Sequence, residues 1–386
     1  MTALHHNPCI PPAAVRCVRY SISNQARNLK THGWLVDLQT KVIRGEAVWS
    51  TARALKAKGY RPDVIFTHPG WGESLFLNDV WPEASIGLYC EFFYHATGAD
   101  ANFDREFSKA ASDNGPRLRL KNANFQLQMT TAKRGISPTV WQRSLHPEPF
   151  RANIDVIHDG IRTDLIKPNE NVSLQISTKN GLVSINRTDE ILTFVNRNLE
   201  PYRGFHVFMR MLSSLMRLRS KLRVIVVGGD ELSYGNAPPS VDGRVLTWRQ
   251  YMLRELGDRL PLDRIHFVGR IPYEQFVTLL QLSSVHVYLT YPFVLSWSML
   301  EAMSAACAVV GSRTPPVEEV INHGKDGYLV DFFDLAELCE TTHELLMRKD
   351  LRIELGRAAR KKIIDTYDLE SICLPQQITW VEELER

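Results

Sequence analysis

Short apolar strands alternate with amphipathic helices through the second half of the chain, and this alternation limits the fold more than any other feature. The predicted strands are three to six residues long and mostly apolar, as expected where both faces of a sheet are covered. They lie at residues 192–195, 222–227, 265–268, 285–289, 308–310 and 328–330. Helices with one apolar face are predicted between them, for example over residues 205–216. The sequence therefore predicts an α/β fold built on a doubly wound parallel sheet.

The first half carries a weaker signal of the same kind. Its predicted elements are helices at 47–58 and 118–132 and strands at 64–66, 86–89 and 154–157. Residues 1–45 show no clean strand, so this half is expected to be short by one or two strand–helix units at its start. The polar stretch 163–190, with the turn Asn180-Gly181, is typical of a linker that contains a hairpin. Two Rossmann-like domains are therefore predicted.

Composition excludes several classes of function. Lys plus Arg exceed Asp plus Glu by only 46 − 43 = 3 over 386 residues, too little to favour nucleic acid as the partner. The six cysteines form no CxxC pair, which favours reduced structural thiols in a cytoplasmic protein and predicts no metal site. No apolar run reaches the roughly 18 residues of a membrane span.

Four segments are predicted at the carboxyl ends of strands in the second half. They are Arg197, Arg203-Gly204, Gly228-Gly229 and the loop and helix at 296–301. In a parallel sheet such segments open on one edge, which is where open α/β sheets bind ligands. Guanidinium groups, glycines and a helix N-terminus together suit a diphosphate, although each alone is more often ordinary loop chemistry.

The stretch YPFVLSWSMLEAMSAACAVVG, residues 291–311, is predicted to form a loop, a short helix and a buried strand. Glu301 lies one turn into that helix, where its carboxylate suits the hydroxyls of a ribose. A second interpretation is structural, because Ser298 and Glu301 also fit a Ser-x-x-Glu capping box. Taken alone, this second interpretation is the better one.

Several segments resemble the retaining glycosyltransferases of family 4. They are NRNLEPYRGF (196–205), IHFVGRIPYEQFVTLLQLSSVHVYLT (265–290), SMLEAMSAACAVVGS (298–312), HGKDGYLV (323–330), PDVIFTHPG (62–70) and VIHDGIRTDLIKP (156–168). The resemblance covers about residues 46–370 and is more specific in the second half. It implies the GT-B fold, in which two Rossmann-like domains with parallel sheets face each other across a cleft. The boundaries it implies are an acceptor-side domain at 1–165, a linker at 166–190, a donor-binding domain at 191–370, and a C-terminal helix at 371–386 that packs back on the first domain.

The resemblance also implies a role for each candidate residue. Arg197 and Arg203 would bind the donor diphosphate and, with His68 at the donor sugar across the cleft, form the catalytic set. The remaining donor-binding residues would be Gly204, Gly228, Gly229, Glu301 at the ribose, and the backbone N–H groups of Ser296, Trp297 and Ser298. The implied reaction moves a sugar with retention from a nucleoside-diphosphate sugar, as substrate, to a saccharide or lipid-linked acceptor in cell-surface polysaccharide synthesis, without metal or cofactor.

Two departures from the family leave alternatives open. Phe293 stands where the family has the first acid of its glutamate pair, and residues 1–45 lack the expected first strand. Both favour a nucleotide-sugar-binding partner subunit without turnover as a second function, and a GT-B epimerase or phosphorylase is a third. The basic run Arg217, Arg219, Lys221 and Arg223 predicts either a solvated helix end or peripheral contact with the inner face of a membrane.

Overall fold

The computed structural model describes residues 1–7, 10, 12–22, 31–107, 114–178 and 181–386. The chain divides into two compact units. The first contains residues 1–102, 109–158 and 375–386, and the second contains residues 103–108 and 159–374. Cys9 and Asn180, which entered the sequence predictions, lie outside the described residues.

Among its described residues before 158, the first unit contains two separate parallel sheets and four α-helices. Its strands are β1 (Thr2–His5), β2 (Arg16–Arg19), β3 (Val64–Thr67), β4 (Ser85–Tyr89), β5 (Arg134–Ser137) and β6 (Ile154–Val156). Its helices are α1 (Val36–Ala57), α2 (Leu77–Val80), α3 (Asn114–Met129) and α4 (Val140–Ser144). The larger sheet has the order β3-β4-β5-β6, and β1 and β2 form a separate two-stranded sheet. Parallel strands with helical crossovers are those expected of a Rossmann-like domain.

The expectation that residues 1–45 lack a strand is wrong. Strands β1 and β2 pair in parallel, and α1 begins at Val36 rather than near residue 47. Leu4 and Val18 of these strands pack against the buried cluster that α1 contributes to, so this segment covers the apolar face of α1. Each strand has four residues, of which none is fully buried, and such strands give too weak an alternation to be recognised from sequence.

After residue 159, the first strands of the second unit form a hairpin, and a strand–helix alternation follows. Its strands are β7 (Ser173–Thr178), β8 (Gly181–Asn186), β9 (Ile191–Asn198), β10 (Arg223–Gly229), β11 (Ile265–Gly269), β12 (Val285–Tyr288), β13 (Ala308–Ser312) and β14 (Tyr328–Val330). Its helices are α5 (Phe205–Leu218), α6 (Trp248–Leu256), α7 (Tyr273–Leu282), α8 (Trp297–Ser304), α9 (Pro315–Glu318), α10 (Leu335–Met347) and α11 (Lys349–Tyr367). The predicted strands of this half are all confirmed.

The main sheet of the second unit has the order β11-β10-β9-β12-β13-β14, and all of its pairs are parallel. The chain builds outward from β9 to β11 on one side and then returns to place β12 on the other side. The carboxyl ends of β9 and β12 therefore flank the point where the strand order reverses, and open α/β sheets bind their ligands at this point.

The last helix, α12 (Leu374–Glu385), carries residues 375–386 to the first unit. Trp380 and Leu384 form a buried cluster with Ile136 of β5. The Trp380 indole N–H also donates to Asp155 at 2.9 Å. Helix α12 thus covers one face of the larger sheet of the first unit. Within the described part of the chain, no helix combines the length and apolar character needed to cross a membrane.

Residues 103–107 belong to the second unit although they lie in the first half of the chain. Asp104 is buried, and its Oδ2 accepts from the Tyr291 hydroxyl at 2.6 Å and lies 3.1 Å from His206 Nε2. Glu106 receives two hydrogen bonds of 2.7 Å from the guanidinium of Arg210. Burial would raise the pKa of Asp104, but its hydrogen bonds to His206 and Tyr291 hold that pKa below its usual value.

We expect Asp104→Asn to lower the free energy of unfolding by roughly 1.5–3 kcal/mol near neutral pH, because hydrogen bonds to a buried charge are lost. A depressed folded-state pKa contributes stability that is present above the unfolded value of about 3.9 and is lost as the pH falls through the folded value. Urea unfolding at pH 7 should therefore separate the variant from the wild type, and the difference should shrink below about pH 4. An equal difference at both pH values would contradict the charged form of Asp104.

Candidate functional site

The Arg203 side chain joins the loop after β9 to the loop before α8. It is buried, and its Nη1 donates to Thr290 Oγ1 at 2.8 Å, the Val294 carbonyl at 2.8 Å and the Tyr288 hydroxyl at 3.2 Å. The same hydroxyl accepts from the Ser296 backbone N–H at 2.9 Å. Arg203 therefore positions the N-terminus of α8 against the carboxyl end of β9, at the point where the strand order reverses.

Arg197 has a different environment from Arg203. The structure places Arg197 inside β9, as the residue before the last one, Asn198. The sequence had predicted it in the loop after the strand. Its side chain is exposed. Among the described residues, Arg197 has no ion pair or hydrogen-bonded side-chain partner. Its guanidinium is therefore available for an anion at the carboxyl end of the sheet.

The loop that follows Gly229 is held by Glu200, a residue that the sequence analysis did not identify. Gly228 and Gly229 end β10, and the Gly229 carbonyl accepts from Leu199 N–H at 2.9 Å. Glu200 is fully buried, and its Oε2 accepts from the backbone N–H groups of Tyr234 at 3.1 Å and Gly235 at 3.0 Å. Its only sequence signal is its position between Arg197 and Arg203.

The N-terminus of α8 provides part of the predicted anion site. Ser296 is the N-cap, and its side chain accepts from Ser298 N–H at 3.4 Å. Since the Ser296 N–H donates to Tyr288, two of the three predicted backbone donors already have partners within the chain. Trp297 is half-exposed, and its indole N–H donates to Asp159 Oδ2 at 2.8 Å. The backbone N–H of Trp297 is the donor that remains, because no hydrogen bond joins it to another described residue.

The capping-box interpretation of Ser298 and Glu301 is wrong. Helix α8 starts two residues earlier than a Ser298 cap would place it, with Ser296 as its cap, so the carboxylate of Glu301 points elsewhere. Its Oε1 accepts from the Tyr273 hydroxyl of α7 at 2.7 Å, and its side chain is 9% exposed. Burial raises the pKa of Glu301, and the hydrogen bond from Tyr273 partly opposes that rise.

Phe293 lies in an aromatic cluster beside Arg203. Its ring centroid is 4.9 Å from that of Tyr234 and 5.4 Å from that of Tyr202. The Arg203 guanidinium lies 5.7 Å from the Phe293 ring and 5.6 Å from the Tyr234 ring. Phe293 is buried, so this position contributes an apolar wall where an acid would contribute hydrogen bonds.

In the first unit, His68 follows β3 and caps the short 3-10 helix Pro69–Trp71. Its Nδ1 accepts from Gly70 N–H at 3.1 Å, so the proton of the neutral ring lies on Nε2, which is 3.2 Å from Glu91 Oε2. Trp71 stacks on the ring at 4.5 Å between centroids. The imidazole is thus fixed in orientation and tautomer. Its predicted role at the donor sugar stays a prediction.

One group of potential metal ligands occurs among the described residues, namely Asp104, Glu106 and His206. Their donor atoms are used by one another and by Arg210, as the contacts of residues 103–107 show. Asp104 Oδ2 and His206 Nε2 contact each other directly at 3.1 Å. This group is therefore a structural anchor.

Two family descriptions match the chain. Residues 1–166 match the glycosyl transferase family 4 group, and residues 180–362 match the glycosyl transferases group 1. The chain is 28% identical over 110 residues to N-acetyl-alpha-D-glucosaminyl L-malate synthase of Bacillus anthracis, which covers 28% of each protein. It is 24% identical over 362 residues to D-inositol 3-phosphate glycosyltransferase of Mycolicibacterium smegmatis, which covers 91% of this chain and 74% of the relative.

Another relative and two solved structures complete the comparison. The match to D-inositol 3-phosphate glycosyltransferase of Corynebacterium jeikeium is 25% identical and covers 53% of this chain and 46% of the relative. Thus two of these three relatives are matched over less than half of their own length. Sucrose-phosphate synthase of Thermosynechococcus elongatus superimposes with a TM-score of 0.71 at 14% identity, covering 99% of this chain and 88% of that one. Anabaena HepE in complex with UDP and glucose superimposes with a TM-score of 0.63 at 15% identity, covering 95% of this chain and 85% of that one. These structures share the GT-B fold.

Proposed function

The chain belongs to the glycosyltransferases of family 4, group 1, and we propose that it moves a sugar from a nucleoside-diphosphate donor with retention at the anomeric carbon. The resemblance in the segments 196–205 and 298–312 supports this proposal. The second unit would bind the donor. UDP is the first nucleotide to test, because HepE was crystallised with it.

The observation that carries the proposal is the connection made by Arg203. Through Tyr288, it holds the start of α8 beside the end of β9, where the exposed guanidinium of Arg197 has no ion pair with any described residue. A fixed helix N-terminus beside an available cation suits a diphosphate. Glu301, further along α8, is then the acceptor for the hydroxyls of the ribose.

This arrangement suits the departure of a nucleoside diphosphate. When the bond between the anomeric carbon and the diphosphate oxygen breaks, negative charge grows on the phosphate. Arg197 and the backbone N–H of Trp297 would stabilise that charge in the transition state. Arg203 would act by holding the loop, since its Nη1 is already hydrogen-bonded within the chain. We propose that the reaction needs no metal, because Arg197 and the backbone N–H of Trp297 would stabilise the negative charge on the departing diphosphate.

The acceptor is proposed from the family resemblance alone. We propose a saccharide or lipid-linked acceptor in the synthesis of a cell-surface polymer. Peripheral contact with a membrane through the basic run at 217–223 receives little support, because Arg219 forms an ion pair with Glu190 and Arg223 lies 3.8 Å from Asp189.

A second candidate function is nucleotide-sugar binding without turnover. Phe293 favours it, because the buried aromatic cluster offers no carboxylate to the hydroxyls of a donor sugar. The two functions share the diphosphate and ribose contacts and differ only in whether the glycosidic bond breaks.

Turnover assays separate these functions. The protein should be incubated with UDP-, GDP- and ADP-sugars and a panel of saccharide acceptors, and the release of nucleoside diphosphate should be measured against Arg197→Ala. Acceptor-dependent release that the variant lacks supports the transferase. Donor binding without release supports the second function. Absence of both binding and release contradicts each of them.

A further inference from the structure

Tyr273 makes a contact with Glu301 that the family resemblance does not assign. It is the first residue of α7, follows the N-cap Pro272, and has a half-exposed ring. Its hydroxyl donates to Glu301 Oε1 at 2.7 Å, while Glu301 Oε2 has no hydrogen-bond partner among the described residues. One carboxylate oxygen is therefore fixed and the other is available.

We propose that Tyr273 is a positioning residue for recognition of the ribose. By binding Oε1, it orients the Glu301 carboxylate so that Oε2 faces the ribose hydroxyls of a bound nucleotide. The inference rests on the proposed function, in which Glu301 is the ribose acceptor. A tyrosine suits this role because its ring packs on α7, 5.8 Å from the Phe276 ring, and loses little conformational freedom when the hydroxyl bonds.

Tyr273 also favours the ionised form of Glu301. Burial disfavours a carboxylate, and the hydrogen bond from Tyr273 opposes this effect on the pKa of Glu301. A protonated carboxyl has one oxygen fewer to accept from two hydroxyls, so loss of Tyr273 should weaken ribose binding most between the pKa of Glu301 in wild type and its higher pKa in the variant. Arg162 is the other charged group that acts on Tyr273, and it is paired with Asp164 at 2.9 Å.

The test compares Tyr273→Phe with wild type in calorimetric titrations with UDP, GDP and ADP and with their 2′-deoxy counterparts. Phenylalanine keeps the ring and removes only the hydroxyl. For the nucleotide that wild type binds most tightly, we expect the ribonucleotide affinity to fall about ten-fold at neutral pH, the size of one lost hydrogen bond to a charge. The 2′-deoxynucleotide affinity should change much less, so the preference of the protein for ribose shrinks.

The pH dependence provides a second readout. As the pH is lowered from 8 to 5, protonation of Glu301 should weaken ribonucleotide binding. This loss of affinity should begin at a higher pH in Tyr273→Phe than in wild type. The Glu301→Gln variant has no carboxyl at position 301 to protonate. Its ribonucleotide affinity should be weaker than that of wild type and should not show the fall that protonation of Glu301 causes. Tyr251→Phe removes a hydroxyl from α6 of the same unit and is the matched control; it should bind both nucleotides as wild type does.

Each outcome distinguishes a different failure. If wild type binds a nucleoside diphosphate and Tyr273→Phe keeps the full ribose preference, the positioning role is overturned while the proposed function stands. If Tyr273→Phe weakens both nucleotides equally and melts earlier, Tyr273 is only structural and the inference is again overturned. If wild type binds none of the three nucleoside diphosphates, the proposed function fails and the role of Tyr273 fails with it.

Discussion

Replacing Gly204 with alanine is expected to lower the free energy of unfolding by about 2–5 kcal/mol, the sum of two separate costs. Gly204 has φ +69° at the junction between the short 3-10 helix Pro201–Arg203 and α5. An alanine in this left-handed conformation loses roughly 1–2 kcal/mol. An added Cβ would also lie 2.3 Å from the Leu289 Cβ, and a clash of this kind costs about 1–3 kcal/mol when the neighbour is well packed.

Leu289 has little freedom to move away. It is buried and directly follows β12, so a shift would move Thr290, which Arg203 holds. We therefore expect Gly204→Ala to disturb donor binding as well as stability. Chemical denaturation measures the first effect, and titration with the nucleoside diphosphate that wild type binds measures the second.

Gly269→Ala is the matched control. Gly269 ends β11 with φ +67°, almost the same backbone conformation, but apart from its chain neighbours no described residue has an atom within 4 Å of an added Cβ. This variant should lose only the roughly 1–2 kcal/mol of the backbone term. Equal losses in the two variants would show that Leu289 moves at no cost, and the close approach would then have no role in fixing the loop.

The second unit was predictable because its buried strands are apolar on both faces. Strands such as β10 and β13 contain uninterrupted apolar runs, and a helical period separates each from the next. Strands β1 and β2 lack this signal, because they form a separate two-stranded sheet and none of their residues is fully buried. The helix that packs on them, α1, buries Val48 and Ala52. It also buries Lys41, and a charged residue on the buried face makes the apolar pattern of the helix harder to recognise from sequence.

The candidate site was only partly predictable for a different reason. Its residues could be recognised from their segments, but their individual environments depend on contacts between distant parts of the chain. Arg203 reaches Val294 across 91 residues, and Tyr273 reaches Glu301 across 28. The local Ser-x-x-Glu pattern at 298–301 predicted a cap, but the tertiary contact with Tyr273 holds the glutamate. Local chemistry thus identified the segments, and tertiary packing decides which arginine is buried and which is available.

That difference between the two arginines leads to the second large effect. Arg197→Ala should reduce the affinity for a nucleoside diphosphate roughly 10- to 100-fold, the loss of a charge-assisted hydrogen bond to phosphate. The melting temperature should stay close to that of wild type, because the exposed Arg197 side chain has no hydrogen-bonded partner among the described residues to leave unsatisfied. Binding by wild type should also weaken with added salt more steeply than binding by this variant.

Arg203→Ala should reduce both affinity and stability. It leaves the Thr290 hydroxyl, the Tyr288 hydroxyl and the Val294 carbonyl without their buried donor, which costs roughly 1–3 kcal/mol for an unsatisfied group. Arg203→Lys is the informative companion, because lysine keeps the charge but is a point donor that cannot match the planar guanidinium. If charge alone mattered at this position, the lysine variant would bind and melt as wild type does.

The comparison of the two positions tests the site more sharply than either alone. If Arg197→Ala keeps full affinity while the fold is intact, the diphosphate does not lie at the end of β9, and the anion site must be sought elsewhere. If Arg203→Ala loses affinity but melts as wild type does, Arg203 binds the ligand directly rather than through the loop. If Arg203 is the buried residue that holds the loop and Arg197 the exposed residue that binds phosphate, two results are required. Arg197→Ala should lose affinity but keep its stability, and Arg203→Ala should lose both.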